Sequence, residues 1–184
     1  MIELSFHTAK VRFQRWLASA IWWIAGGLWA GAVGGGMLLL LCYSESAGTE
    51  AKAPAQWPQE SQIVSSSDRS TLVMFIHPQC PCSRASIGEL DRLVARALDR
   101  FSVQVLFLKP EGMSQDWVKS DLWRQAAAIP GVTVSYDHDG EEAARFHAVT
   151  SGQTLLYDRD GSLVFQGGVT ESRGHSGDSA GRAA

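Results

Sequence analysis

The stretch Thr71-Leu-Val-Met-Phe-Ile-His-Pro-Gln-Cys80-Pro-Cys-Ser-Arg-Ala-Ser86 decides the fold of this chain. Its first six residues form a continuous apolar run of strand length, which suits a central strand covered on both faces. Downstream, Ile87, Leu90, Leu93, Val94 and Leu98 recur along one face of a helix expected from Cys82 to Leu98. Cys80 and Cys82 therefore stand where a strand hands over to a helix, with the N–H groups of the helix start directed outward. Pro81 suits the first helical turn, where its missing N–H costs nothing. The helix dipole there favours anions and lowers thiol pKa values. A thiolate is the attacking species in disulfide exchange, so placement and chemistry agree. Exposed unpaired thiols are a liability in an oxidising compartment, which favours a functional pair over two incidental turn cysteines.

Outward from this motif, residues 101–108 read as a second strand. Residues 114–129 read as one helix, with Trp117, Val118, Leu122 and Ala126 aligned and Pro130-Gly131 as its stop. A short strand over 132–136 and a short helix over 141–147 follow, the latter expected to carry His138 and His147 on or near it as surface or packing residues. Residues 154–157 and 163–165 flank Asp158-Arg-Asp-Gly161, a hairpin signature. Strands alternating with helices and closed by a hairpin imply an α/β domain, a mixed sheet sandwiched by helices.

Upstream the chain changes character. No charged residue occurs from Trp16 to Ser44, and the apolar core from Leu17 to Leu41 is 25 residues long. As a helix rising about 1.5 Å per residue, that core exceeds the roughly 30 Å hydrocarbon layer of a bilayer. Trp16, Trp22, Trp23 and Tyr43 suit the headgroup levels. A cleaved signal peptide has a shorter apolar region followed by a small-residue cleavage site, so an uncleaved anchor is the better reading. Lys10, Arg12 and Arg15 precede the span, which places the N-terminus in the cytoplasm and the rest outside it. The organisation expected is a cytoplasmic stub over 1–16, a transmembrane helix over 17–42, a flexible linker over 43–70 and a soluble domain over 71–184. The protein is thus expected as a single-pass inner-membrane protein with its C-terminal domain in the periplasm. Gly27, Gly31 and Gly35 recur every fourth residue, a face through which two such helices could pair. Cys42 ends the apolar run and reads as a packing residue.

Composition narrows the function. With 45% hydrophobic and 19% charged residues, the 184-residue chain is neither disordered nor a coiled coil. A net charge of −3 offers no polyanion footprint, so no nucleic-acid partner is expected. Three cysteines are too few for a disulfide scaffold.

On the strand, the cysteine pair at a helix start, and the later Asp137, Ala144-Arg-Phe-His-Ala-Val149 and Thr154-Leu-Leu-Tyr-Asp-Arg-Asp-Gly161, the domain resembles the thioredoxin-like superfamily. It is most similar to that superfamily's membrane-tethered thiol-disulfide (TlpA-like) branch. The strings His77-Pro-Gln-Cys-Pro-Cys-Ser-Arg-Ala-Ser86, Gly167-Gly168 and Arg173-Gly-His175 look like a RedB-like bacterial subgroup. The resemblance implies a thioredoxin-like fold over about 71–175. It also implies a thiol-disulfide oxidoreductase in which Cys80, nearer the exposed turn, attacks and Cys82 resolves the mixed disulfide. No cofactor is then needed. Partners would be protein thiols or disulfides and a membrane or periplasmic redox protein. His77, Pro81 and Gly152 would modulate the thiols.

The sequence departs from the family pattern in several places. One residue rather than two separates the cysteines, and Ser83 stands where the second cysteine usually is. Gly152 replaces the family's cis-proline, and Gln79 a usual tryptophan. Of the family's closing helix, residues 179–184 would supply only a first turn. An alternative stays open: His77, Cys80 and Cys82 as soft ligands for copper in a metal-delivery module, since thiolates favour Cu(I). Gly152 would leave the thiols less shielded for that role, and His175 could join only if the tail folds back.

Overall fold

The computed structural model of the chain describes residues 2–45, 51–97 and 100–170. Two compact units emerge, divided at Glu45.

The first unit is a single helix, α1 (Ile2–Glu45). It runs without interruption through the expected cytoplasmic stub. Within it, Ala20–Tyr43 is 24 residues long and apolar enough to cross a membrane. Its large side chains, such as Trp22, Trp23 and Leu39, are exposed along its length. A Cβ added at Gly27, Gly31 or Gly35 would meet nothing within 4 Å of the chain.

The second unit is built on a five-stranded sheet. In chain order its elements are β1 (Ser70–Ile76), α2 (Ser83–Ala97), β2 (Phe101–Lys109), α3 (Gln115–Val118), α4 (Asp121–Ala127), β3 (Val132–His138), α5 (Glu141–Arg145), β4 (Gln153–Tyr157) and β5 (Leu163–Gly167). The strand order is β3-β2-β1-β4-β5. β1 pairs in parallel with β2 and antiparallel with β4; β2 and β3 are parallel, and β4 and β5 close as a hairpin.

The unbroken apolar run of β1 is explained by its position. Leu72, Met74 and Ile76 point into one core with Val105 and Phe107 of β2, and with Ile87, Leu90 and Val94 of α2. Val73 and Phe75 point into the other with Leu106, Leu155 and Tyr157. A strand central to the sheet has no solvent face to reserve for polar residues.

Several elements differ from expectation. The single helix expected over 114–129 is two, because Lys119 and Ser120 leave helical geometry (ψ 50° and −179°) and Ser120 becomes the N-cap of α4. Serine and aspartate at 120–121 favour a helix start more than a helix interior. His138 ends β3 rather than lying on a helix. His147 follows α5 in a left-handed conformation (φ 53°), its ring Nδ1 2.9 Å from the Lys52 carbonyl oxygen. α2 begins at Ser83, one residue later than expected, and Leu98 lies outside the described residues.

The largest correction concerns the linker. Residues 51–69, expected as part of a flexible tether, fold onto the sheet instead. The Ala53 N–H donates to Gln166 Oε1 at 2.6 Å, and the Leu163 N–H to the Ala55 carbonyl at 2.9 Å. Gln56 forms a bridge with Ser162, and the Trp57 N–H donates to the Gly161 carbonyl at 2.7 Å. Glu142 then accepts from Ser61 Oγ at 2.6 Å and from the Gln62 N–H at 3.0 Å. The physical reason is burial. Helices α2 and α4 cover one face of the sheet, but on the other the described residues supply only the short α5, and Ala53, Trp57 and Ile63 complete that core.

Candidate active site

The site forms where β1 ends and α2 begins. From His77 onward the backbone closes in a series of short turns: the Cys80 N–H donates to the His77 carbonyl (3.0 Å), Ser83 to Cys80 (3.2 Å), Arg84 to Pro81 (3.3 Å) and Ala85 to Cys82 (3.2 Å). Each bond spans three residues, which curls the Cys-Pro-Cys segment tightly before the helix proper begins. Pro81 thus precedes the helix instead of occupying its first turn.

The two thiols are inequivalent, and their exposure is the reverse of that expected. Cys80 is half-buried and Cys82 is exposed; both are free thiols. Burial pushes the Cys80 thiol up. Hydrogen bonds from the Ser83 hydroxyl, the Ser83 and Cys82 N–H groups and the Ser151 hydroxyl outweigh it, and the net pKa lies below the ordinary thiol value. Donors aimed at a sulfur stabilise its anion, which is the form that attacks disulfides.

Ser83, fully buried at the start of α2, stands 2.7 Å Oγ to Oγ from Ser151. Ser151 Oγ in turn accepts the His77 N–H at 2.7 Å. The sequence pattern assigns neither serine this part. The available signals are Ser83 three residues after Cys80 and Ser151 beside Gly152, two positions at which the sequence departs from the pattern it resembles. The His77 ring is engaged on two sides, with Nδ1 accepting the Gln79 N–H at 3.2 Å and its edge against Trp117, centroids 5.7 Å apart. Gln79 Nε2 donates to the Trp117 carbonyl at 3.1 Å, which ties the cysteine loop to α3.

Gly152 lies directly behind the site. Its φ is +88°, and a Cβ there would stand 2.6 Å from Ser86 Oγ. Its N–H donates to the Phe75 carbonyl at 2.7 Å. Glycine is therefore demanded twice, by backbone conformation and by the closeness of α2.

His77, Thr150 and Ser151 also line a mainly apolar pocket of about 230 Å³ with Phe75, Leu108 and Val149. Asp137 is a further lining residue. Burial pushes the Asp137 carboxyl up more than its bonds from the Glu142 and Ala143 N–H groups (2.8 and 3.1 Å) pull it down. Those bonds cap α5, so Asp137 is occupied structurally. Among the described residues no three His, Cys, Asp or Glu side chains are grouped so as to hold a metal ion. Arg173 and His175 lie outside the described residues.

No protein-family model and no curated protein matches the sequence. Solved structures do resemble it. A hypothetical protein from Sinorhizobium meliloti superposes with a TM-score of 0.51 at 21% identity, covering 74% of this chain and 79% of that one. A conserved protein from Geobacillus kaustophilus gives 0.50 at 22% identity, covering 72% and 74%. A secreted Mycobacterium tuberculosis disulfide oxidoreductase gives 0.42 at 16% identity, covering 52% and 66%. At these identities the likeness concerns the fold. With cysteines between a central strand and its helix, a parallel β1-β2-β3 half and an antiparallel closing hairpin, the domain has a thioredoxin-like fold.

Proposed function

We propose that this chain is a membrane-tethered thiol-disulfide oxidoreductase that acts on protein thiols outside the cytoplasm. The observation that carries the reading is Cys80, half-buried at the entry to α2, its thiolate favoured by four hydrogen-bond donors, with the exposed Cys82 two residues on. In the reductive direction the Cys80 thiolate attacks one sulfur of a partner disulfide, and the other partner sulfur leaves as a thiolate. Cys82 then attacks Cys80 Sγ, the second partner thiolate leaves, and a Cys80–Cys82 disulfide remains. Two electrons have passed to the partner, and a dithiol protein must return them. The cycle run backwards oxidises a partner dithiol. α1 holds the domain at the membrane, and the basic residues before the span place it on the outer side.

A trapping experiment tests this. The reduced full chain in detergent micelles, carrying Cys82→Ser, is mixed with a disulfide-bonded protein and run on a non-reducing gel. A covalent adduct that Cys80→Ser abolishes is the expected result. No adduct, together with stoichiometric copper on chain purified under reducing conditions, would assign Cys80 and Cys82 to metal handling instead.

A further inference from the structure

At the carboxyl ends of β1, β2 and β3, on the face that α5 covers, the packing leaves open the pocket of about 230 Å³. Phe75 and Leu106 of the second core meet there Ala143 of α5 and Ala148 just beyond it, the Ala148 N–H donating to the Ala143 carbonyl at 2.7 Å. Larger side chains at the two alanines would take up the space. The lining is chiefly apolar and holds no lysine or arginine, so it offers nothing to an anion. Asp137 has both carboxylate oxygens engaged by N–H groups of α5. A polar occupant would leave its own groups unpaired, which costs free energy, whereas an apolar one gains by burial.

Size and position name the occupant. An apolar cavity of about 150 Å³ holds a benzene ring, whereas pockets for free organic ligands start at about 300 Å³. A volume between the two fits a single leucine- or phenylalanine-sized group. Segments 46–50 and 171–184 carry no apolar side chain larger than alanine and cannot supply it. The lining residue His77 accepts the Cys80 N–H at its carbonyl, at 3.0 Å, in a turn that keeps the two Cα atoms within about 7 Å. Extended chain advances about 3.3 Å per residue, so a polypeptide joined to Cys80 reaches the pocket within two or three residues. Val149, also of the lining, is 56% exposed and adds apolar surface for it to meet.

We propose that this pocket is a specificity subsite that takes a bulky aliphatic or aromatic side chain two or three residues from the reactive cysteine of the partner polypeptide. This rests on the thiol-disulfide reading and adds to it the chemical class of the partner.

The test uses the full chain in detergent micelles with Cys42→Ala and Cys82→Ser, so that Cys80 is its one thiol. The probes are short blocked peptides with one cysteine each, activated as a mixed disulfide with thionitrobenzoate. Leucine or serine stands two or three residues before or after that cysteine. The Cys80 thiolate attacks the peptide sulfur, a Cys80–peptide disulfide forms, and thionitrobenzoate leaves with the electrons of the broken bond, its colour giving the rate. At least one leucine placement should react about tenfold or more faster than its serine counterpart, the discrimination that a fitted apolar group confers. Ala148→Leu, which fills the pocket, should abolish that preference. A ratio between peptides is read, so a general loss of reactivity does not imitate the result. Should Ala148→Leu lose its near-ultraviolet circular dichroism, Ala143→Leu fills the same space from α5. Rates equal within about twofold at every placement overturn the proposal, and so does a leucine preference that persists in a folded, filled chain. An activated mixed disulfide reacts with any accessible thiol, so the comparison does not depend on exchange with proteins. Equal rates in a chain that traps protein partners sink the subsite alone, and a leucine preference in a chain that traps none sinks the proposed function alone.

Discussion

The Trp57 indole stands edge-on to the Tyr157 ring, their centroids 5.2 Å apart and their planes at 77°. It meets Phe146 in the same manner, at 5.0 Å and 82°. Edge-to-face pairs of this kind add about 0.5–1.5 kcal/mol beyond the area they bury. A tryptophan from a segment preceding the first strand is thus a wall of the second core, and the folded domain extends upstream of the cysteine strand.

Trp57→Ala should accordingly behave as a core substitution. Because Trp57 is only half-buried, its cost is expected at about 2–3 kcal/mol, below the range for fully buried aromatics. Denaturant unfolding followed by near-ultraviolet circular dichroism measures it. A change below about 0.5 kcal/mol, the level of an ordinary surface substitution, would show that residues 51–63 are not part of the folded unit.

On the opposite face, Leu90 is fully buried between α2 and the sheet. Leu90→Ala leaves a cavity that the rigid sheet beneath cannot close, and a loss of about 2–5 kcal/mol is expected in the same unfolding measurement.

Gly152→Ala combines a left-handed backbone with a Cβ 2.6 Å from Ser86 Oγ. It should destabilise the domain and displace Ser151, which slows alkylation of Cys80 at neutral pH. Adding Ser86→Gly removes the steric part but leaves the backbone cost of about 1 kcal/mol. Partial recovery of stability in the double variant is therefore the expected result, and full recovery would mean that backbone conformation contributes nothing there.

Alkaline pH should loosen the upstream segment through Tyr157. Its hydroxyl donates to the Pro54 carbonyl at 3.0 Å, and burial pushes its pKa from 10.0 up to about 12. The neutral phenol is the form the fold prefers. Its contribution is fully present below pH 10 and is lost as pH rises through about 12. In a phenolate absorbance titration, Tyr157→Phe should delete a transition at about pH 12. It should also flatten stability against pH in that window.

Much of the architecture was legible in the chain because it depends on local pattern. A six-residue apolar run has to be covered on both sides. The spacing of Ile87, Leu90 and Val94 can face a sheet only as a helix, and Asp158-Arg-Asp-Gly161 turns a hairpin with its glycine at φ +78°. The break between α3 and α4 was hidden because a continuous amphipathic stripe over Trp117, Leu122 and Ala126 outweighed the capping preference of Ser120. The upstream segment was hidden by composition, since its serines, prolines and glutamines resemble a linker. Only a sheet face left open by a short α5 makes Ala53, Trp57 and Ile63 a cover for it.

Residue order alone placed Cys80 and Cys82 between a buried strand and a helix start, and put a serine three positions after the first cysteine. It could not say which thiol would be sheltered, or that Ser151, 68 residues beyond Ser83 and 74 beyond His77, would reach both. That was decided by the antiparallel addition of β4 beside β1, which brings the loop before β4 to the end of the cysteine strand. Side-chain periodicity is a property of neighbours within a few residues, whereas the hydrogen bonds that set a thiol's charge depend on which distant loop the sheet carries to it.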